Sequence, residues 1–135
     1  MRNKSLIDTN NKAVNLIYPE MSYTIMGILF EVHNKLGTKY QEKHYQRAIT
    51  TKLKTTSLIH KREVEIPIKF EGESLGKFYI DFVIEDKIIL EIKTANYITN
   101  DMVRQVLRYL ENTGLRLAII ANFRQTPLEY RRIVF

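Results

Sequence analysis

A chain of 135 residues with 44% hydrophobic and 27% charged residues has the size and composition of one soluble domain, and no apolar run is long enough to cross a bilayer. The absence of cysteine excludes disulfide bonds and thiolate zinc sites, and it favours the cytoplasm as the location. A formal net charge of +6 favours polyanionic partners such as nucleic acid, and a basic protein without such a partner is the alternative.

The chain is expected to begin with an arm that leads into a single domain. Residues 1–18 have few large apolar side chains, and we expect them to form a flexible or irregular N-terminal arm before a domain over residues 19–135. From Ile25 the apolar residues recur at helical spacing. This pattern predicts a first helix that is capped by Ser22 and ends at Gly37.

Three strands are predicted after a second helix that begins near Gln41. Apolar and polar residues alternate over residues 64–70, which is typical of a half-buried strand. Pro67 places this strand at a sheet edge or a bulge, because proline cannot donate to the ladder. Two more strands, residues 78–84 and 88–93, follow across short turns. Together they predict an antiparallel meander.

A third helix and a further strand complete the predicted order. Thr99 or Asn100 is expected to cap the helix, which runs through Leu110 and stops at Gly114. Residues 115–121 are nearly all apolar and predict a strand buried on both faces. The predicted fold class is α/β, with a mixed central sheet of the three-strand meander plus this strand, flanked by helices.

Charged residues interrupt the most apolar strands of the meander. Glu91 and Lys93 lie two residues apart, so their side chains point to one face, and Asp81 occupies the preceding strand. Carboxylates are rarely buried unless they are paired or bound to metal. Asp81 and Glu91 share a face if the hairpin loop holds three residues, 85–87, and they lie on opposite faces if it holds two. The sequence leaves this register open.

Two facing carboxylates predict a site for Mg²⁺ or Mn²⁺. Without a hard divalent cation between them, the two acids would repel one another and raise one another's pKa. A structural ion pair of Asp81 or Glu91 with Lys93 is the alternative, and residue types alone do not separate the two. Glu42 adds a third acid that helical spacing turns toward the sheet, although the helix dipole also favours glutamate in a first turn.

The third helix carries side chains suited to a phosphate groove. Gln105 and Tyr109 are adjacent on its surface at i and i+4, and Arg104 and Arg108 form a basic ridge beside them. The alternative is a tyrosine at the edge of the core next to a solvated arginine face. A second set of cations that is able to bind nucleic acid consists of Lys52, Lys54, Lys61 and Arg62.

The spacing of these residues resembles a known nuclease pattern. Asp81, followed after nine residues by Glu91-Ile92-Lys93 and then by Gln105-x-x-x-Tyr109, resembles the PD-(D/E)XK nuclease superfamily. Three further segments resemble the small bacterial GxxExxY proteins of that superfamily: Glu31-Val-His-Asn-Lys-Leu-Gly37, Glu42-x-x-Tyr45 and Ala121-Asn122-Phe123.

Two positions depart from these patterns. Lys39 stands where the first glycine of the GxxExxY motif would be, and Ile80 replaces the proline of the superfamily motif. Neither substitution removes a predicted metal ligand, although the loop before the second helix is expected to differ.

The resemblance implies a restriction-endonuclease-like core and a magnesium-dependent (or manganese-dependent) nuclease that hydrolyses phosphodiester bonds in DNA. Asp81, Glu91 and the carbonyl of Ile92 would hold the cation, and Glu42 would bind a second ion or orient a ligating water. Lys93 would position the attacking water and stabilise negative charge in the transition state.

The remaining site residues would act on the substrate backbone, which Gln105, Tyr109, Arg104 and Arg108 would align. The rival is a catalytically inactive nucleic-acid-binding or protein-interaction module with the same fold, and a structural subunit is the third alternative. No membrane partner is expected, and a homodimer is compatible with the sequence.

Overall fold

The computed structural model describes residues 17–135 together with the backbone of residues 6–8. Within these residues the chain forms three helices and six strands. In chain order the elements are β1 (Leu6–Asp8), α1 (Pro19–Leu36), α2 (Glu42–Leu53), β2 (His60–Phe70), β3 (Glu73–Ile84), β4 (Ile88–Lys93), α3 (Asn100–Thr113), β5 (Leu117–Asn122) and β6 (Glu129–Val134).

The strands form one mixed sheet in the order β1-β6-β5-β4-β3-β2. β4 and β5 are parallel, and the other neighbouring pairs are antiparallel. Helix α3 connects the two parallel strands, which need a crossover of this kind. Helices α1 and α2 pack on one face of the sheet and α3 packs on the other. The predicted α/β class is confirmed, including the antiparallel meander β2-β3-β4 and the flanking helices.

Helix α1 begins at Pro19, three residues before the predicted cap, and ends at the predicted glycine. Proline suits the first helical position because its ring fixes φ and its missing N–H needs no partner there. The N–H of Ser22 donates to the carbonyl of Tyr18 at 2.9 Å, so Ser22 lies inside the helix and its prediction as the cap is wrong. Gly37 has a φ of 76°, and its N–H donates to the carbonyl of His33 at 2.9 Å.

The predicted ends of α2 and α3 agree with the structure. Gln41 precedes α2, and its N–H donates to Nδ1 of His44 at 3.1 Å. The hydroxyl oxygen of Thr99 accepts from the N–H of Met102 at 3.1 Å and so caps α3. Gly114 ends that helix with a φ of 75°, the left-handed conformation that glycine adopts at helix ends.

Strands β2 and β3 form a hairpin that extends well beyond β4. β2 is the last strand in the sheet order, which agrees with the edge position predicted from Pro67. β4 pairs with β3 over Phe82 to Ile84, whereas β2 pairs with β3 out to Phe70. The outer part of the hairpin is therefore a two-stranded arm, and it packs against α3 through residues such as Phe78.

Strands β1 and β6 were not predicted from the sequence. Residues 6–8, within the segment expected to be irregular, form β1 and pair with β6, so that expectation is wrong for these three residues. The other residues up to position 16 lie outside the described part of the chain. β6 pairs with β5, and its alternating pattern is weak because Arg131 and Arg132 stand among its apolar residues.

The core has two halves, one on each face of the sheet, and β3 changes face beside Asp81. Phe82 is buried in the half that contains α1 and α2, whereas Ile80 is buried in the half that contains α3. Residues two apart on a regular strand share a face, so the strand must turn between them. On β2, Glu63 has a φ of 51° between the pairs that join Arg62 with Phe82 and Val64 with Ile80. The sheet therefore bends at Asp81.

Candidate active site

The register of the β3–β4 hairpin brings the two predicted acids together. The loop holds three residues, 85–87, and Ile84 pairs with Ile88. Continuing this register toward the bend places Asp81 opposite Glu91. Of the two registers that the sequence allows, the structure has the one that the metal-site prediction requires.

Where β3 separates from β4, the two carboxylates take the place of backbone carbonyls as hydrogen-bond acceptors between the strands. One carboxylate oxygen of Glu91 (Oε2) accepts from the backbone N–H of Asp81 at 2.8 Å. One carboxylate oxygen of Asp81 (Oδ2) accepts from the backbone N–H of Ile92 at 2.8 Å. These bonds hold both acids in the gap between the strands. Among the described residues, none donates to the second oxygen of either carboxylate, so each acid keeps an oxygen with which to bind a ligand.

The acid pair carries more negative charge than its surroundings offset. Glu91 is 3% exposed, and burial together with the charge of Asp81 raises the pKa of Glu91 to about 8. Burial also raises the pKa of Asp81, although the hydrogen bond from Ile92 and the charge of Lys93 oppose this effect. Both shifts have the direction expected for acids that lack a nearby cation of sufficient charge.

Glu42 lies near the pair but does not complete a three-carboxylate ligand set. Its charge raises the pKa of both Asp81 and Glu91 after the larger effect of their burial. Its own carboxylate accepts from the backbone N–H of Thr94 at 3.3 Å. Within the part of the chain that the structure describes, no three His, Cys, Asp or Glu side chains converge enough to hold a metal ion. Glu42 is directed to the loop after β4, and its predicted role with a second ion or a ligating water stays a prediction.

Tyr109 of α3 lies on the face of the sheet opposite to the one on which α2 and Glu42 pack. It is 4% exposed, and its ring meets that of Phe78 edge to face with centroids 5.1 Å apart. Burial raises the pKa of Tyr109, and the charges of Glu91 and Asp81 raise it further. Gln105, one turn earlier on α3, is half-buried. The structure thus places the Tyr109 side of α3 beside the acid pair.

The predicted ridge on α3 lies outside the core. Arg104 and Arg108 are both exposed. Arg104 forms an ion pair with Asp101 of the same helix, so a phosphate would have to compete with this carboxylate.

Arg62 is a cation beside the site whose place was not predicted from the sequence. Its guanidinium donates to the hydroxyl of Thr50 and to the side-chain oxygen of Gln46, each at 3.0 Å, and lies 4.8 Å from the centre of the Phe82 ring. Its charge is one of the weaker influences that oppose the raised pKa of Asp81. Strand alternation would place Arg62 on the same face as Val64, but the bend at Glu63 turns Arg62 toward α2 while Val64 packs on the α3 side, so no sequence pattern indicated this position.

A second polar cluster lies at the ends of β4 and β5 and was also missed. Asn122 is fully buried, and its amide donates to the carbonyl of Ala95 at 2.8 Å and to Glu129 at 2.9 Å. Its side-chain oxygen accepts from the N–H of Ala95 at 2.9 Å. Glu129 accepts from the N–H of Ile98 at 3.1 Å. These bonds hold the loop between β4 and α3, and an asparagine at the end of an all-apolar strand was the available signal.

Comparison with known families agrees with this fold. A family model described as the PD-(D/E)XK nuclease superfamily matches residues 19–133. This match covers most of the sequence, and the chain belongs to the PD-(D/E)XK nuclease superfamily. No curated protein and no solved structure matched the chain.

Membership in this superfamily indicates the general class of reaction and substrate. Nucleases of this superfamily generally use divalent metals, and the class implies a nucleic-acid substrate. Separately, no helix of the described residues is both long and apolar enough to span a membrane.

Proposed function

We propose that the protein is a metal-dependent nuclease that hydrolyses phosphodiester bonds, with DNA as its substrate. The observation that carries the proposal is the pair Asp81 and Glu91, two acids that face one another across a gap in the sheet. Burying two uncompensated carboxylates destabilises a fold, so an arrangement of this kind points to a bound cation.

The donor set fits Mg²⁺ or Mn²⁺. Mg²⁺ prefers oxygen ligands and is commonly held by one or two carboxylates together with water and substrate phosphate, so a third converging acid is not needed. Asp81, Glu91 and the carbonyl of Ile92 would hold the ion. When bound there, a divalent cation lowers the pKa of water and offsets negative charge on the phosphate. Its charge would also favour the ionised form of Glu91, which burial and Asp81 disfavour.

The chain's other site residues act on water and substrate. Lys93 is in phase with Glu91 on β4, and its ammonium group supplies donors to an attacking water and to the developing charge on phosphorus oxygens. Glu42, fixed by its bond to the N–H of Thr94, orients water from the α2 side. Tyr109 and Gln105 donate to the substrate backbone from the α3 side.

We further propose that the chain belongs to the GxxExxY branch. The motif tyrosine is Tyr45, which is fully buried and stacks on Phe123 with ring centroids 4.4 Å apart. Its hydroxyl donates to the carbonyl of Gly37 at 2.6 Å and accepts from the N–H of Tyr40 at 3.2 Å. These contacts fix the turn between α1 and α2, and through it the start of α2, where Glu42 lies. This role does not need the motif's first glycine.

A catalytically inactive module of the same fold is the second candidate. The observation that favours it is that Glu42 does not converge with Asp81 and Glu91, so the described residues add no third acid to the ion that this pair would hold. Such a module would bind nucleic acid without any dependence on Mg²⁺.

A metal titration tests the proposal. The melting temperature of the wild type should rise with Mg²⁺ or Mn²⁺, since a ligand at about 100 times its Kd adds about 2.7 kcal/mol to the free energy of unfolding. Metal-dependent cleavage of labelled DNA should accompany this rise. The variant Glu91→Gln should lose both, with cleavage reduced by about 10²-fold or more, as expected for loss of a group that acts electrostatically at the reaction.

The matched control is Glu129→Gln, which removes a carboxylate that also accepts a backbone N–H but lies in the Asn122 cluster. It should keep the response to metal. If Glu91→Gln retained the metal-dependent rise in melting temperature, the acid pair would not be the metal site, and a wild type without cleavage would favour the inactive module.

A further inference from the structure

The positive charge of the chain is concentrated around α2. Residues 39–54 contain five basic residues and one acidic residue, a net charge of +4, within a chain whose net charge is +6. Helix α3 contains two arginines, one aspartate and one glutamate, a net charge of zero. The helix that the sequence pattern favoured for phosphate contacts is therefore electrically balanced, whereas α2 and its flanks are strongly basic.

Most of the cations near α2 form no ion pair with the residues that the structure describes. Lys52 pairs with Glu31 at 3.1 Å. The other four are exposed and form no ion pair with a described residue: Lys39, Lys43, Arg47 and Lys54. Exposed cations without partners give up no ion pair when they bind phosphate, and each contact releases condensed counterions from the nucleic acid.

Three of these four cations form a line along α2. At about 100° per residue, Lys43, Arg47 and Lys54 lie within roughly 40° of one another around the helix axis. At about 1.5 Å per residue they span roughly 16 Å along it. Lys39 precedes the same end of the helix. We call Lys39, Lys43, Arg47 and Lys54 the α2 stripe.

The α2 stripe starts at the end of α2 that carries Glu42. Glu42, which bonds to Thr94 just after β4, is the neighbour of Lys43 in the chain. The row beside the stripe on α2 contains Gln46 and Thr50, and both accept hydrogen bonds from Arg62. A polymer that lies along the stripe therefore comes to the end of α2 that carries Glu42, whose charge acts on both Asp81 and Glu91.

The hairpin arm has the opposite charge. Residues 63–79 contain four glutamates and two lysines, a net charge of −2. One of the two lysines, Lys77, already forms an ion pair with Glu65. The negative charge of this arm repels phosphate. The electrostatic field of the protein therefore favours a polyanion on the α2 side of the acid pair.

We propose that the α2 stripe binds the sugar-phosphate backbone of the nucleic acid and leads it to Asp81 and Glu91. The inference rests on the proposed nuclease function for the class of ligand and adds the surface that holds it. Contacts of lysine and arginine with phosphates carry no sequence information, so the stripe contributes affinity that is uniform across sequences.

Salt-dependent binding tests the stripe. The probe is a labelled DNA duplex of mixed sequence, measured in chelator so that no cleavage occurs. The double variant Lys43→Gln/Arg47→Gln should reduce the slope of log affinity against log salt by about 1.8, because each duplex phosphate that a cation neutralises adds about 0.9 to that slope. The matched control Lys69→Gln/Lys87→Gln removes the same charge from exposed positions elsewhere and should leave the slope as in the wild type.

The rival surface is tested in the same way with Arg104→Gln/Arg108→Gln. The proposal is overturned if this variant flattens the slope while Lys43→Gln/Arg47→Gln does not, or if the α2 variant and the Lys69/Lys87 control change the slope equally. Both α2 side chains are exposed, so an unchanged melting temperature will show that the variant is folded. The nuclease proposal can fail separately from this one. If the wild type does not cleave DNA but Lys43→Gln/Arg47→Gln still flattens the salt slope, the stripe is supported and only the proposed activity is rejected.

Discussion

Two buried polar clusters lie near the ends of the central strands, and their charges are balanced differently. In the Asn122 cluster, an amide and the Glu129 carboxylate share donors and acceptors with the loop after β4. In the acid pair, Asp81 and Glu91 each receive one backbone N–H, and the pKa of Glu91 rises to about 8 through burial and the charge of Asp81. A cluster whose donors and acceptors match stabilises the fold, whereas one with surplus charge is suited to binding a ligand.

Replacing Asn122 gives the largest effect on stability that this comparison predicts. Asn122→Ala should lower the free energy of unfolding by about 2–3 kcal/mol, because it removes the partner of both the N–H and the carbonyl of Ala95 and one of the two donors to Glu129. Urea denaturation measures this loss. In the same assay without metal, Glu91→Gln should be as stable as the wild type or more so. A clear loss of stability in Glu91→Gln, about 3 kcal/mol or more, would identify Glu91 as a member of a structural ion pair with Lys93.

The pH dependence of stability separates the two clusters in a second way. The pKa of Glu91 is about 8 in the folded chain, above its ordinary value of 4.5, so between these values the folded state keeps a proton that the unfolded state has lost. The contribution of Glu91 to stability is therefore present at low pH and is lost as pH rises through this window. The slope is at most about 1.4 kcal/mol per pH unit for one proton.

Chemical denaturation in metal-free buffer across this pH range provides the measurement. Glu91→Gln should lack this component of the slope, while Glu129→Gln should retain it. Saturating Mg²⁺ should also reduce the slope in the wild type, because the cation favours the ionised acid. If wild type and Glu91→Gln had the same dependence on pH, the surplus charge that distinguishes the two clusters would not exist.

Tyr109 gives the smallest predicted effect. Tyr109→Phe keeps the ring contact with Phe78 and removes the hydroxyl. The pKa of this hydroxyl is raised by burial and by the charges of Glu91 and Asp81. Stability should change by about 1 kcal/mol or less. Cleavage should fall by less than about tenfold and mainly through KM, as expected for uniform binding of substrate. Steady-state kinetics check this, and a loss that falls on kcat alone would mean that the hydroxyl acts in the transition state.

The part of the site that the sequence predicted depends on local pattern. Asp81 and Glu91 stand out because each interrupts an apolar strand, and strand geometry then limits their arrangement to two registers. The choice between these registers depended on the length of one turn, which the sequence left open and the structure shows to be three residues. In the structure, Glu85 and Asp86 both have positive φ, 56° and 51°, which is how the chain reverses within this loop.

The parts that were missed depend on contacts between distant segments. The direction of Glu42 is set by a hydrogen bond to the N–H of Thr94, 52 residues further along the chain, and helical spacing carries no information about that bond. β6 is defined by its pairing with β5, because its own residues alternate too weakly to predict a strand. Its neighbour β1 depends in turn on β6 for a partner.

The three-residue loop between β3 and β4 also limits how this chain can change in length. Most surface loops tolerate insertions, because adding a residue costs little entropy. Removing one residue from 85–87 would instead shift the pairing of Ile84 with Ile88, and a one-residue shift moves every side chain of a strand to the other face. Asp81 would then no longer face Glu91. Natural variants of this protein should therefore conserve the length of this turn more strictly than its residues, and gaps in an alignment of its relatives should fall elsewhere.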